Sequence, residues 1–85
     1  MRIQKQPPIP TKQAIKFLNK LDSKTRERLK NAITKIPDGD IKPYLGTDFS
    51  RLRVGDYRII FEWLSDEQIL IAHIGLRGDV YKKGV

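Results

Sequence analysis

The chain has 85 residues, no cysteine, one histidine and a net charge of +7 from 17 basic and 10 acidic residues. This length fits one small domain spanning residues 1–85, and the lack of cysteine excludes disulfides and thiolate metal sites. The apolar runs are far shorter than the ~20 residues of a membrane helix, and the N-terminus has no apolar signal segment. We therefore expect a soluble, cytoplasmic protein with no metal or cofactor.

The charge is unevenly distributed along the chain. Residues 1–42 carry eleven basic and four acidic side chains, whereas residues 43–85 carry six of each. A basic excess of this kind favours a polyanionic partner, either nucleic acid or an acidic protein. It is also within the range that small domains use for solubility, so charge alone leaves both interpretations open.

The first half of the chain predicts an edge strand followed by two helices. Pro7, Pro8 and Pro10 confine any first strand to about Arg2–Lys5. Thr11 is a candidate N-cap, and Asp22 or Ser23 can cap a second helix that Pro37 ends. Apolar residues recur at helical spacing in both segments: Ala14, Ile15, Phe17, Leu18 and Leu21 in the first, and Leu29, Ala32, Ile33 and Ile36 in the second. Residues 11–36 are therefore predicted to form an antiparallel helical hairpin with a basic outer face.

The second half predicts a loop over 38–48 and three strands, at about 49–54, 57–64 and 68–75. Gly55-Asp56 is a two-residue hairpin loop with glycine first, as a type II′ turn requires. This loop pairs Val54 with Tyr57 and Arg53 with Arg58. Because paired and alternate residues share a face, one side of the sheet, here called the arginine face, bears Arg51, Arg53 and Arg58. The other side is predicted to pack on the helices and bears Leu52, Val54, Tyr57, Ile59, Phe61 and Trp63.

The second hairpin extends this pattern if Leu64 pairs with Ile69. Ile60 then pairs with His73, and Arg58 pairs with Gly75, so His73 lies on the arginine face. In this register the same face carries an apolar row that could receive a partner helix, made of Ile60, Leu64, Ile69 and Ile71. Arginines placed directly opposite each other destabilise a sheet, so their convergence with the only histidine favours an anion-binding role over side chains that merely extend into solvent.

Two runs of residues resemble the RelE/ParE superfamily of toxins from type II toxin–antitoxin pairs. Residues 51–61 (RLRVGDYRIIF) resemble its central motif, and residues 77–81 (RGDVY) resemble its C-terminal motif. Upstream, residues 17–22 (FLNKLD) and the second amphipathic helix match in position. The resemblance implies an α+β fold of order β-α-α-β-β-β, in which a helical hairpin packs on a small antiparallel sheet.

The RelE-like branch of this superfamily cleaves mRNA on the ribosome without a metal, by attack of a 2′-hydroxyl on the adjacent phosphate. By this resemblance Arg58 contacts the scissile phosphate, and Arg51 and Arg53 bind phosphate or assist the base step. Arg77 protonates the leaving group or contacts phosphate, and Tyr81 stacks on or orients a base. Lys82 and Lys83 follow as expected RNA-binding residues.

One departure from the family pattern concerns the proton acceptor. Many relatives have histidine directly before the C-terminal arginine, where this chain has Leu76. His73, three residues earlier, is a candidate substitute, although a lone histidine in an apolar strand is more often structural.

The sequence is compatible with three functions: the ribosome-dependent endoribonuclease, a ParE-like inhibitor of DNA gyrase, and a degenerate toxin that retains only antitoxin binding. The expected partners are a cognate antitoxin and mRNA on the ribosome, with no membrane involved.

Overall fold

The computed structural model describes residues 2–76. In this range two helices, α1 (Lys12–Asn19) and α2 (Ser23–Thr34), accompany five strands. The strands are β1 (Ile9–Pro10), β2 (Asp40–Pro43), β3 (Ser50–Val54), β4 (Tyr57–Trp63) and β5 (Ile69–Leu76). They form one sheet in the order β1-β5-β4-β3-β2, with β1 parallel to β5 and the other neighbours antiparallel. The predicted α+β class is confirmed, with one strand more than predicted.

Both predicted helix caps are present. The Thr11 hydroxyl accepts a hydrogen bond from the Ala14 amide, and the Asp22 carboxylate accepts one from the Thr25 amide. The hydrogen bond from Thr25 also lowers the pKa of Asp22. Arg26 joins the two helices, because its guanidinium donates to the backbone carbonyls of Leu18 and Leu21 at the end of α1. Side-chain caps thus satisfy backbone groups that a short helix leaves without partners.

The core lies between the helices and one face of the sheet. Its fully buried members include Ala14 of α1, Leu29 of α2 and Phe61 of β4. Trp63, as predicted, packs against this cluster. The second helix ends at Thr34, earlier than the pattern predicts, yet Ile36 is still buried in the core.

The first β-hairpin has the predicted register. Val54 pairs with Tyr57, and Arg53 pairs with Arg58. Gly55 has φ +59°, whereas no residue other than glycine has a positive φ in the described range, so the turn is of type II′. An Arg28 guanidinium nitrogen lies 2.7 Å from the position that a Cβ on Gly55 would occupy. Glycine is therefore favoured here for its conformation, whereas the flexible Arg28 side chain could move away from a larger residue.

The second hairpin contains a β-bulge that the pattern does not predict. Ile60 pairs with His73, but the next residue, Phe61, pairs with Ile71, so Ala72 is the extra residue. The prediction that Leu64 pairs with Ile69 is wrong, because Trp63 occupies that position. The bulge also has a tertiary partner, since the Thr11 hydroxyl donates to the Ala72 carbonyl over 3.0 Å.

The bulge moves two isoleucines from one face of the sheet to the other. A one-residue change of register reverses the side on which every following residue projects. Ile69 and Ile71 are accordingly buried in the core with the helices, and their predicted place on the arginine face is wrong. The bulge lets Phe61 and these isoleucines face the same core.

The first strand lies later in the chain than predicted. Residues 2–6 run beside the turn after β4, where the amides of Ile3 and Lys5 donate to the carbonyls of Asp66 and Glu67. The strand itself is Ile9–Pro10, at the sheet edge beside β5. Proline is tolerated on an edge strand, because its missing amide can fall on the side that has no neighbour.

The predicted loop over 38–48 contains the strand β2, which forms the other sheet edge. Its Ile41 is half-buried against the core, directly opposite Leu52 of β3. With one apolar residue in four, the segment lacks the alternation that reveals a strand. Pairing with β3, rather than local sequence, therefore makes it a strand.

Candidate functional site

The predicted convergence of arginines on one face is present. Arg51, Arg53 and Arg58 alternate along β3 and β4 with residues that belong to the core, Leu52 and Ile59. They therefore project from the side of the sheet opposite the helices. The register that places them is the one fixed by the Gly55-Asp56 turn.

The three arginines differ in their environments. Arg53 is exposed and Arg51 is half-buried. Arg58 is only 3% exposed, although it lies on the side of the sheet that the helices do not cover. Its strand is the central one of five, where neighbouring strands shield both sides of a side chain. Burial raises the strength of a cation's interaction with an anion, because the local dielectric is lower than in water.

His73 lies on the arginine face, as predicted. It is opposite Ile60 in the last pair before the bulge, two residues from the Arg58–Gly75 pair. Its side chain is half-buried. The bulged residue, Ala72, is the direct neighbour of His73 in β5. His73 is therefore placed on this face by the four regular pairs that Tyr57–Ile60 of β4 make with β5.

A fourth cation on this face was missed by the sequence analysis. Lys42 of β2 is directly opposite Arg51, and it is exposed. Directly opposite residues share a face, so Lys42 extends the arginine face onto the edge strand. The sequence does not single out Lys42, because it precedes a proline in a segment that is predicted to be a loop.

The predicted apolar groove on the arginine face does not form as expected. Of its four members, Ile69 and Ile71 lie in the core on the other side. Ile60 is buried outside that core cluster, and Leu64 is beyond the end of β4, with 49% of its surface exposed.

Tyr44, which follows β2, carries a buried hydroxyl that makes no hydrogen bond to any of residues 2–76. The backbone pairing of β2 with β3 continues past β2 here, since the Tyr44 amide donates to the Phe49 carbonyl over 2.9 Å. A buried hydroxyl without a partner typically costs about 1–3 kcal/mol. The end of β2 therefore carries a polar group whose burial is not compensated.

Four predicted site residues lie outside the described residues: Arg77, Tyr81, Lys82 and Lys83. Within residues 2–76, no group of three or more histidine, aspartate or glutamate side chains is placed to hold a metal ion. Neither described helix has the length and apolar character that crossing a membrane requires.

Comparison with known proteins gives a consistent family relationship. A family model described as the ParE toxin of the type II toxin–antitoxin system parDE matches residues 9–81. No curated protein matches the chain.

Two solved structures are similar over nearly the whole chain. The RelB–RelE antitoxin–toxin complex of Methanococcus jannaschii contains a chain that is 26% identical with a TM-score of 0.72; the alignment covers 91% of this chain and 99% of that one. The archaeal RelE–RelB complex of Pyrococcus horikoshii OT3 contains one that is 28% identical with a TM-score of 0.65, covering 92% and 98%.

Proposed function

The chain belongs to the ParE toxin family of type II toxin–antitoxin systems, and we propose that it is a ribosome-dependent mRNA endoribonuclease. The observation that carries this proposal is the convergence of Arg51, Arg53 and Arg58 on one face of the sheet. Guanidinium groups remain charged at any physiological pH and can bind phosphate through two parallel hydrogen bonds. Such a cluster suits an RNA phosphate that gains negative charge during reaction.

The proposed reaction is an in-line transfer at phosphorus. A 2′-oxygen of the RNA forms a bond to the adjacent phosphorus, its proton passes to a base, and the bond from phosphorus to the 5′-oxygen breaks as that oxygen gains a proton. In this scheme Arg58 stabilises the charge on the scissile phosphate, and preorganised cations are usually the largest catalytic contribution of this kind. Arg51 and Arg53 bind the phosphate from β3, while Arg77 and Tyr81 are assigned to the leaving group and a neighbouring base.

We infer that the partner is a cognate antitoxin protein and that both proteins are cytoplasmic. Both similar structures are complexes of RelE with RelB. The exposed lysines of the helices, which include Lys12, Lys16, Lys20 and Lys30, take part in no salt bridge within residues 2–76. These cations offer charge complementarity to an acidic antitoxin segment.

A second candidate function is inhibition of DNA gyrase, because the matching family model is that of ParE. Such an inhibitor is a binding protein and needs no catalytic cluster. The similarity to RelE structures and the arginine face favour RNA cleavage over this alternative.

The deciding experiment adds purified protein to a translating extract and maps the 5′ ends of the mRNA. We expect new ends at codons in the ribosomal A site, and no new ends when ribosomes are omitted. In parallel, a supercoiling assay measures whether gyrase still supercoils a relaxed plasmid when the protein is present. Intact mRNA with blocked supercoiling would establish the gyrase inhibitor instead, and intact mRNA with normal supercoiling would leave antitoxin binding as the function.

The role of His73 is tested by His73→Gln. We expect the substitution to lower Tm and to leave the single-turnover rate of the folded protein nearly unchanged, since a half-buried histidine in a β-strand contributes mainly to packing. Rates on programmed ribosomes, measured across pH for both proteins, check this. If His73 accepts the proton, the rate instead falls by about 10²–10⁴-fold with little change in Tm.

A further inference from the structure

We propose that Lys42 is an RNA-binding residue, which contacts a phosphate that neighbours the scissile one on the β2 side of the arginine face. This inference rests on the proposed function, in which the arginine face binds RNA. Lys42 is exposed and lies directly opposite Arg51, so both side chains project from the same face.

The arrangement of charge supports an anionic ligand at this position. The arginine face contains two pairs of like charges that are directly opposite each other, Arg53 with Arg58 and Lys42 with Arg51. Such pairs destabilise a sheet, and a sequence constrained by stability alone would avoid repeating them on adjacent strand pairs. A chain of phosphates crossing β4, β3 and β2 would neutralise all four cations.

The geometry places Lys42 beside the arginines but apart from the buried one. Lys42 pairs with Arg51, which in turn pairs with Ile60. Arg58 is two residues from Ile60 along β4, and adjacent strands lie ~4.8 Å apart, so the Cα atoms of Lys42 and Arg58 are about 12 Å apart. Lys42 is thus offset from the phosphate assigned to Arg58 and suited to a neighbouring position along an RNA strand. Lysine can fulfil this role as a flexible point charge that needs no fixed hydrogen-bond geometry.

Two carboxylates share the arginine face: Asp40, and Glu62, which alternates with core residues along β4. Asp40 is two residues before Lys42 on β2 and is paired with Arg53. Neither Asp40 nor Lys42 takes part in a salt bridge or side-chain hydrogen bond within residues 2–76. The Lys42 ammonium group is therefore not committed to a neighbouring carboxylate and is available to a phosphate.

A competing explanation is that Lys42 only protects an exposed sheet edge. Charged side chains and prolines on edge strands prevent pairing with other chains, and Lys42 is followed by Pro43 at this edge. Edge protection requires a charge of either sign, whereas phosphate binding requires a positive one. Glutamate in place of Lys42 would therefore preserve edge protection but not phosphate binding, whereas arginine would preserve both.

The test measures binding to a single-stranded 2′-O-methyl oligouridine, which cannot be cleaved by attack of a 2′-hydroxyl. Affinity is determined by fluorescence anisotropy over a range of salt concentrations for wild type, Lys42→Gln, Lys42→Arg and Lys42→Glu. Lys35→Gln, directly after α2, is the matched control, because it removes the same charge from an exposed lysine that follows a helix packed on the other face of the sheet. Thermal melts confirm that each variant is folded.

We expect Lys42→Gln to weaken binding about three- to fivefold at low salt and to lower the slope of log affinity against log salt by about 0.7, the value for one phosphate contact on a single strand. Lys42→Arg should retain the slope, Lys42→Glu should weaken binding further, and Lys35→Gln should resemble wild type. An unchanged slope in Lys42→Gln, an equal loss in Lys35→Gln, or no binding by wild type would each overturn the proposal.

The test of Lys42 and the test of the proposed endoribonuclease function can fail independently. A wild-type protein that binds the oligonucleotide through Lys42 but leaves mRNA intact on ribosomes would overturn the endoribonuclease and retain the contact. Conversely, A-site cleavage with Lys42→Gln binding like wild type would retain the endoribonuclease and overturn the contact.

Discussion

Phe61→Ala should destabilise the protein by about 3–5 kcal/mol, the usual range for removing a fully buried phenylalanine. Phe61 is 1% exposed and lies on the central strand, in the cluster that joins the sheet to both helices. Small domains have total stabilities of about 5–15 kcal/mol, so the variant should be largely unfolded or close to it. Urea denaturation followed by the fluorescence of Trp63, the only tryptophan, measures the change.

Leu45→Ala is the matched control for this prediction. Leu45 is 92% exposed, and surface substitutions of this kind usually change stability by less than about 0.5 kcal/mol. Wild-type stability in Phe61→Ala would mean that β4 does not present Phe61 to the helices, and it would contradict the register of both hairpins.

If the proposed endoribonuclease function holds, Arg58→Ala should reduce mRNA cleavage by about 10²–10³-fold, the usual cost of removing one preorganised group that stabilises transition-state charge. Because Arg58 is 3% exposed, the substitution should also lower Tm, since the aliphatic part of the side chain packs in the sheet face. The rate is therefore measured in single turnover on programmed ribosomes and expressed per folded molecule, with the folded fraction obtained from a melt.

Arg58→Lys separates charge from geometry at this position. Lysine keeps the positive charge and most of the aliphatic length but cannot form two parallel hydrogen bonds with phosphate, so we expect most of the stability to return and only part of the rate. Arg53→Ala, on the exposed partner in the same strand pair, should have a smaller effect than Arg58→Ala. An Arg58→Ala protein that is folded and cleaves at the wild-type rate would remove Arg58 from the catalytic site.

Local sequence alone determined the elements whose partners are close in the chain. The two caps, Thr11 and Asp22, act within one helical turn, and Gly55-Asp56 fixes the first hairpin because a two-residue loop permits one register. The side on which Arg51, Arg53 and Arg58 project followed from that register. The motif in residues 51–61 lies in this same hairpin, so the family relationship and the arginine face could be predicted together.

Tertiary structure decided the features that depend on distant residues. The Ala72 bulge turns Ile69 and Ile71 toward the helices, and its carbonyl is satisfied by Thr11, 61 residues away. β1 and β2 are strands because β5 and β3 offer them unpaired edges, although each contains a proline and β2 lacks alternating apolar residues. Hydrogen bonding to a sheet edge depends on which strands are adjacent in space, and the hydrophobic periodicity of a segment does not indicate its neighbours.

The same distinction holds within the candidate site. Sequence placed Arg58 on the correct face, but its burial reflects a central position among five strands, and the number of strands was underestimated by one. Lys42 joined the site only when β2 became a strand beside Arg51. The side on which a residue projects is a property of local alternation, whereas its burial and its neighbours are set by the order of strands in the assembled sheet.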